Sequence, residues 1–399
     1  MQKFTRLKDC VVTNKNVIVR VDINVPMAGG VIEDDTRIKA VIPTLQYLAA
    51  QKAKVIVISH FGRPEGKFEP TMSLKPLCGR ISELLGDKIK LHFIDDCIGE
   101  KVAKAVENTG YGEIILLENL RFYKAETKND PEFSRQLASL GNLYVNDAFS
   151  CSHRAHASIV GIPAILKPCA GFLLERELDN LTNLLENAAT PMMAAVGGAK
   201  VSTKFDLLNS LVEKAQSIVV GGGMANSFLY AIGKNVGKSL CEKDLKESVL
   251  KLMEKAKSHG CNIILPIDVI VTKKFEENAE CRETLIDDVK DDEIIADIGS
   301  ASVCYLQEKL KTHKTLLWNG PLGAFEIKPF NVGTENFARV AALLTSQGKL
   351  LSIAGGGDVV SALNGSGLAH EFTYISTAGG AFLEWLEGKD LPGIKALKK

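Results

Sequence analysis

Eleven arginines occur among the 399 residues, and nine stand at or before Arg176, leaving only Arg282 and Arg339 beyond it. Four of them fall in polar clusters, Arg37 in DDTRI, Arg63 in SHFGRP, Arg121 in ENLRFY and Arg154 in CSHRAH. A guanidinium fork binds carboxylate and phosphate bidentately, so several forks gathered after strand ends suit a small, highly charged acid. Taken singly each is an ordinary surface arginine, and the shared placement is what argues for a site. Arg6, Arg80 and Arg135 lack that placement and read as surface residues. Asp22, Asn24, His60, Asn119, Asn146 and Asp147 also close apolar runs. His60 is followed at once by Phe61, Gly62 and Arg63, which favours ligand contact over a packed core histidine. Cys151, His153 and His156 lie close together, but a zinc site needs a fourth ligand and no second pair accompanies them.

Past Arg176 the chemistry changes to glycine and lysine. Apolar runs end in GG at 197–198, GGG at 221–223, NGP at 319–321 and GGG at 355–357, and GG recurs at 379–380. Clustered glycines let backbone N–H groups approach an anion, and a following helix adds its positive dipole end. Several such loops on one sheet edge point to a polyphosphate. In GGAKVSTK, Lys200 and Lys204 stand four residues apart. A helix starting after the glycines would place both on one face near its positive end. Asp358 closes GGGD and offers a hard oxygen suited to Mg²⁺ held mainly by phosphates and water. Glu326, after WNGPLGAF, reads either as an acceptor for ribose hydroxyls or as a surface glutamate. Common phosphate signatures are absent. GKNVGKS at 233–239 imitates a Walker A loop with one residue too few between its glycines, and no G-x-G-x-x-G, H-R-D or D-F-G occurs.

The elements that must position these residues are legible as a repeated unit. VIVRVDIN (17–24), KVIVISH (54–60), LHFID (91–95), EIILLEN (113–119) and LYVNDAF (143–149) are apolar, β-branched runs ending in polar clusters. PMMAAVGG (191–198), SIVVGGG (217–223), NIILPID (262–268), TLLWNGP (315–321) and LLSIAGGG (350–357) repeat the pattern with glycine endings. Helical periodicity separates several of them, as in 36–51 and 74–86. Continuous apolar strands alternating with helices imply parallel sheets covered on both faces, with ligands at the carboxyl ends of the strands. Between the two sets lies Gly171–Ala189. Its Leu174, Leu178, Leu181, Leu185 and Ala188 recur at three- and four-residue steps, the period of an amphipathic helix.

The totals bound the class. A chain of 399 residues suggests about two domains. Net charge is zero, which argues against a nucleic-acid partner. No 18-residue apolar run suggests a membrane span, and the N-terminal residues lack a signal-peptide core. Nine scattered cysteines without a C-x-x-C pair read as reduced thiols, so a cytoplasmic location is expected.

RVDINVP, DDTRI, SHFGRP, LLENLRF, VNDAFSCSHRAHAS, GGAKVSTK, GGGMA, WNGPLGAFE and GGGD follow one another in this order over residues 20–358. With this set the chain resembles phosphoglycerate kinase along essentially its whole length. The resemblance implies an α/β fold of two Rossmann-like domains with parallel sheets, joined by a central helix and a hinge. It implies 3-phosphoglycerate on residues 1–170, an interdomain helix over 171–189, nucleotide on 190–378, and a segment 379–399 returning to the first domain. By motif, Asp22, Asn24, Arg37, His60, Phe61, Gly62, Arg63, Arg121 and Arg154 would hold phosphoglycerate. Gly198, Lys200, Lys204, Gly222, Gly299, Asn319, Pro321, Glu326, Gly355, Gly356, Gly357, Asp358, Val359 and Thr377 would hold ATP or ADP, with Asp358 on Mg²⁺. Arg37, Lys200, Gly379 and Gly380 would serve the transferring phosphoryl group. The implied reaction is reversible phosphoryl transfer from 1,3-bisphosphoglycerate to ADP, in line, without a general base, by a monomer whose domains close.

Two positions depart from the family pattern. Ala378 stands where T-G-G-G-A usually has glycine, a cost of about 1 kcal/mol or more if φ must be positive there. Ser300 in DIGS replaces a common proline and bears on loop stiffness. Two rival readings remain open on residues alone: a kinase or ligase acting on another acid, and a two-lobed binding protein that closes on an acidic ligand without nucleotide.

Overall fold

The structure, a computed structural model, describes residues 4–186, 188–376 and 378–398, without the side chains of 183–186. Asn187, inside the helix expected over 171–189, and Thr377, expected at the nucleotide, lie outside the described residues. The chain divides into two units, one running to Thr182 and taking in Asp390 onward, the other Asn183–Lys389.

Six strands form the sheet of the first unit: β1 (Asn16–Val21), β2 (Lys54–Ile58), β3 (Leu91–Ile94), β4 (Ile114–Leu117), β5 (Leu143–Asp147) and β6 (Pro168–Ala170). Their order is β3-β4-β2-β1-β5-β6 and every pairing is parallel. The apolar runs are continuous because both faces are covered. Val17, Val19, Val55, Val57, Ile114 and Leu116 pack to one side, against Ile38, Val41 and Leu45 of helix α1 (Thr36–Ala50). Ile18, Ile56, Ile58, Ile115 and Leu117 pack to the other, against Val102, Val106, Phe133 and Leu137. The chain leaves β1 toward β2 on one side and reaches β5 on the other. The crevice at the carboxyl ends around β1 is therefore the topological switch point of this sheet. The C-terminal tail belongs here too: Gly393 donates to the Ser152 carbonyl at 2.8 Å, and a Cβ on Gly393 would stand 2.8 Å from Ile159 and Ser152. Helix α2 (Phe172–Glu186) then leads out of the unit with Leu174, Leu178 and Leu181 buried.

The second unit repeats the plan with β7 (Met192–Val196), β8 (Ser217–Val220), β9 (Asn262–Ile264), and, further on, β13 (Thr315–Asn319), β14 (Leu351–Gly355) and β15 (Tyr374–Ser376). Their order β9-β8-β7-β13-β14-β15 is parallel throughout and is the doubly wound Rossmann arrangement. Sequence reading missed an inserted antiparallel sheet of β10 (Asp268–Thr272), β11 (Cys281–Leu285) and β12 (Ile294–Ile298) in the order β11-β10-β12. Helices follow the strands: α3 (Phe205–Leu211), α4 (Gly222–Ala231), α5 (Ser300–Lys311), α6 (Val332–Ser346), α7 (Gly357–Gly365) and α8 (Gly380–Leu386).

The start of α2 is set by Asp147, a wholly buried carboxyl at the end of β5. Its Oδ1 accepts the Leu173 and Leu174 N–H groups at 2.8 and 3.1 Å, satisfying two amides that open the helix. Gly171 is glycine because a Cβ there would lie 2.3 Å from that oxygen. Burial raises the Asp147 carboxyl to about 6, against the hydrogen bonds from Thr44 and the helix amides. Its Oδ2 is buried without a hydrogen-bond partner, so a proton there removes a charge that burial penalises. The unfolded group titrates at about 4, so between there and 6 the folded state holds the extra proton. This contribution to stability is complete below pH about 4 and is lost as pH rises through 6, on the order of 3 kcal/mol. Asp147→Asn keeps the Oδ1 acceptor for the helix amides and stays uncharged at every pH. Thermal melts from pH 4.5 to 7.5 should show the variant gaining on the parent as pH rises, by roughly 5 °C. A constant difference across the range would refute this account of Asp147.

Candidate active site

The arginine edge is organised by β1 and β2. Asp22, one residue past β1, is buried; its Oδ2 accepts Ser150 Oγ at 2.5 Å and Arg37 Nη1 at 3.2 Å. Burial alone would raise this carboxyl, but Arg37, the Ser150 hydrogen bond and Arg20 hold it below its ordinary value. Arg37, in the first turn of α1, also donates to the Asn24 carbonyl at 2.8 Å. Asn24 Oδ1 accepts the Gly62 N–H at 2.9 Å, and the Gly62 carbonyl accepts Arg121 Nη1 at 2.6 Å. Gly62 has φ +58°, a left-handed conformation that a side chain would strain. Phe61 donates its N–H to Asn119 Oδ1 at 3.1 Å. Asn119 also gives both amide protons to the Phe61 and Met72 carbonyls, so it latches loops rather than facing ligand. Arg121 is buried and pushed down to about 10 by burial, Arg154 and Arg20. Arg154 is half-buried beside His153, and Arg63 is exposed.

Sequence reading missed the group at the centre of this edge. Arg20 is 1% exposed and donates to Ser158 Oγ at 2.9 Å, to His60 Nδ1 at 3.0 Å and to the Val21 carbonyl. Its charge faces Glu126, which is wholly buried and accepts Ser158 N and Oγ at 3.0 and 2.5 Å. The signal was available: a strand buried on both faces has no room for an unpaired arginine. Burial and Arg20 push His60 well below its ordinary value, so it is neutral. With Nδ1 accepting from Arg20, the ring proton sits on Nε2 and His60 offers a donor. Asp22, His60 and Cys151 also form a compact set of metal-ligand types. Arg20 occupies His60 Nδ1 and lies 3.6 Å from Cys151 Sγ, so the set faces a fixed cation and does not suit a metal.

The glycine edge is tied together at the β7/β13 switch point. Lys204 Nζ donates to the Gly197 carbonyl at 2.6 Å, and to Asn319 O and Oδ1 at 3.1 and 2.5 Å. Asn319 Nδ2 reaches the Gly355 carbonyl at 2.5 Å, joining the loop after β14. Burial lowers the Lys204 ammonium to about 8, with Asp358 acting in the other direction. Lys200 and Lys204 do not share a helix face. The residues after the glycines form a tight turn at Val201–Thr203, and α3 starts only at Phe205. Lys200 is exposed while Lys204 points into the crossing of the loops. Ala378 is absent from the residues with positive φ, so its methyl strains nothing; Gly379, at φ +55°, takes that conformation instead. The Ala378 N–H points to Ser376 Oγ at 3.3 Å.

A cavity of about 450 Å³ opens at this edge, lined among others by Gly198, Gly222, Pro321, Glu326 and Asp358. Gly299, Val359, Gly379 and Gly380 do not line it. Gly299 lies against Asp268, which caps α5, and Val359 is buried in the core. Asp297 was not anticipated; it lines the cavity, accepts Ile298 and Gly333 N–H groups at 2.9 and 2.7 Å, and is raised to about 7 by burial. Asp358 is exposed in the first turn of α7, beside a glycine with φ +106°. A hard carboxylate oxygen next to free space for phosphates fits Mg²⁺ shared with a nucleotide.

An α/β chain with one arginine-lined and one glycine-lined sheet edge belongs to the class of nucleotide-dependent phosphotransferases. A family model described as phosphoglycerate kinase matches residues 7–389. The phosphoglycerate kinase of Methylorubrum populi is 51% identical over 399 residues, covering 100% of this chain and 99% of its own. The phosphoglycerate kinase structure from Coxiella burnetii superposes with a TM-score of 0.89 at 41% identity, covering 99% of both chains. That from Pyrococcus horikoshii gives 0.83 at 30% identity over 98% of each. The chain belongs to the phosphoglycerate kinase family. Its chemistry is therefore the reversible, glycolytic transfer of a phosphoryl group between 1,3-bisphosphoglycerate and ADP, with Mg-nucleotide as co-substrate.

The close crossing of the loops after β7 and β13 is testable at Gly320. Its φ is +94°, and a Cβ would lie 2.2 Å from the Gly197 carbonyl and 2.8 Å from Lys204 Nζ. Gly320→Ala should destabilise the fold by about 2 kcal/mol. It should also raise KM for ATP several-fold while leaving KM for 3-phosphoglycerate within twofold. Equal effects on both substrates would show that the crossing does not shape the nucleotide edge.

Proposed function

We propose that the arginine edge of the first unit holds 3-phosphoglycerate and the glycine edge of the second holds Mg-ATP or Mg-ADP. The observation that carries the first assignment is His60, neutral and donating from Nε2, among Arg20, Arg37, Arg121 and Arg154. Such a cluster recognises an anion and offers no base. None is needed, because the accepting carboxylate of 3-phosphoglycerate is already ionised at neutral pH. Asp22 and Asn24 position Arg37 and Gly62, and Arg63, Arg121 and Arg154 supply forks for carboxylate and phosphate.

On the glycine edge, Gly198, Gly222, Pro321 and Glu326 wall the nucleotide cavity, and Asp358 with the Gly355–Gly357 loop holds the metal end. Bound magnesium supplies compensating positive charge to the phosphate oxygens. Lys204 is already committed to carbonyls, so its part is to hold the cradle and lend its charge. Lys200, exposed and without such anchoring, is the residue that moves onto the transferring group with Arg37 and the amides at Gly379–Gly380. Positioning and positive charge on the equatorial oxygens are what this reaction asks of a protein.

The two sets of residues belong to different units, so turnover requires the units to close on both substrates, with helix α2 between them. The enzyme works as a monomer in the cytoplasm, without nucleic-acid or membrane partners. Zero net charge, with no basic surplus for a polyanion, favours the absence of a nucleic-acid partner.

Arg37→Ala should lower kcat at least roughly a hundredfold in an assay of 3-phosphoglycerate with Mg-ATP coupled to glyceraldehyde-phosphate dehydrogenase. An unchanged kcat with only a higher KM would demote Arg37 to a binding residue. Small-angle scattering should show a smaller radius of gyration with both substrates than with either one. Superimposable curves would sink the closure.

A further inference from the structure

The segment before β1 lies against the strand that feeds helix α2. The Thr5 carbonyl accepts the Ala170 N–H at 2.9 Å, and Arg6 pairs alongside Ala170 in parallel. A tight turn at Leu7–Asp9 then folds the chain back, and the Cys10 N–H donates to the Leu7 carbonyl at 3.1 Å. The Cys10 thiol is thereby returned to within 3.6 Å of the Arg6 carbonyl. That places its sulfur beside β6, whose middle residue is Cys169. Both side chains pack into the same core cluster, Cys169 within it and Cys10 against it. Cys169 is wholly buried in the core and Cys10, packed on the same core, is half-buried.

The two sulfurs are unequal. Cys169 lowers the Cys10 thiol and Lys167 adds to it, against burial and Asp9. Cys10 in turn, with burial, raises Cys169. Burial raises Cys78, Cys97, Cys151, Cys241 and Cys261 as well. Cys10 is thus lowered where these thiols are raised, it is only half-buried, and the protonated Cys169 lies behind it on β6. An attacking sulfur and a resolving sulfur need this arrangement.

We propose that Cys10 and Cys169 are a peroxide-reactive pair that closes to a disulfide. The Cys10 thiolate attacks hydrogen peroxide, the O–O bond breaks, and Cys10 becomes a sulfenic acid as hydroxide leaves. The Cys169 sulfur then attacks the Cys10 sulfur; the S–O bond breaks and its oxygen leaves as water, taking up the Cys169 proton. In total two thiols and one peroxide give one disulfide and two waters. The bond fastens a strap that already holds the first turns of α2. Arg6 donates to Asp179 at 3.0 and 2.8 Å and pairs with Glu175, and Lys8 sits 5.7 Å from the Phe172 ring centre. Oxidation therefore stiffens the root of α2 in the first unit without touching either ligand edge.

The test uses the full chain. After mild hydrogen peroxide, denatured protein should show seven reactive thiols in place of the nine cysteines of the sequence. Tryptic digestion should yield a Cys10–Cys169 linked peptide that dithiothreitol removes. Cys169→Ser should leave Cys10 as a sulfenic acid trapped by dimedone, and Cys10→Ser should form no link at Cys169. The parent protein supplies an independent check. Iodoacetamide at pH 7 should alkylate Cys10 roughly tenfold faster than any buried cysteine. A thiol count that stays at nine overturns the proposal. So does a disulfide between other cysteines, or a Cys10 that alkylates no faster than the buried thiols.

Discussion

Gathering Arg20, Arg37, Arg121 and Arg154 at one sheet edge sets like charges against one another in a partly desolvated place, and the first unit is arranged around containing that repulsion. Arg20 is fully sequestered and faces the buried carboxylate of Glu126. Arg37 leans on Asp22, and Arg121 is fixed by the Gly62 carbonyl while its own proton is weakened to about 10. The compensation is incomplete, and a positive field remains at this edge. The C-terminal tail has a place in this scheme. By packing Gly393 on Ser152 and Ile159 it steadies the segment that carries Ser150, Cys151 and Arg154.

The glycine edge solves a different problem. Its loops pass close to one another, and Lys204 holds the crossing by binding carbonyls of both neighbouring strand ends. One ammonium thus serves as structural tie and as source of charge. Burial weakens its proton to about 8, which makes it responsive to the anions placed nearby. The arginine edge presents side-chain forks and the glycine edge presents backbone shape.

Most of this was legible in the residue order. Every strand of the two parallel sheets longer than three residues follows an apolar run visible in the sequence, because burial on both faces demands unbroken apolar side chains. Several of the elements that escaped have weaker signals, although Asp268–Thr272 and Ile294–Ile298 are themselves apolar and mostly inward-facing. Pro168–Ala170 and Tyr374–Ser376 are three-residue edge strands, too short for any period to register. Cys281–Leu285 in the antiparallel sheet is largely exposed and reads as polar chain. The lysine pair was misplaced because a four-residue spacing implies one face only if the helix has begun, and here it begins at Phe205.

Residue types and their order determined the fold class, the two differently charged edges, the family and nearly all the groups that stand at those edges. These follow from local composition, since each strand carries its own functional ending. What only the tertiary structure decided is how those groups share protons and partners. Arg20 turned out to set the tautomer of His60, Asn119 to be a latch, Lys204 to be a tie, and Gly299 and Val359 to lie off the cavity. Each depends on contacts between residues tens to more than a hundred positions apart, and on burial that shifts a proton. A linear sequence carries neither until the sheets bring the strand ends together.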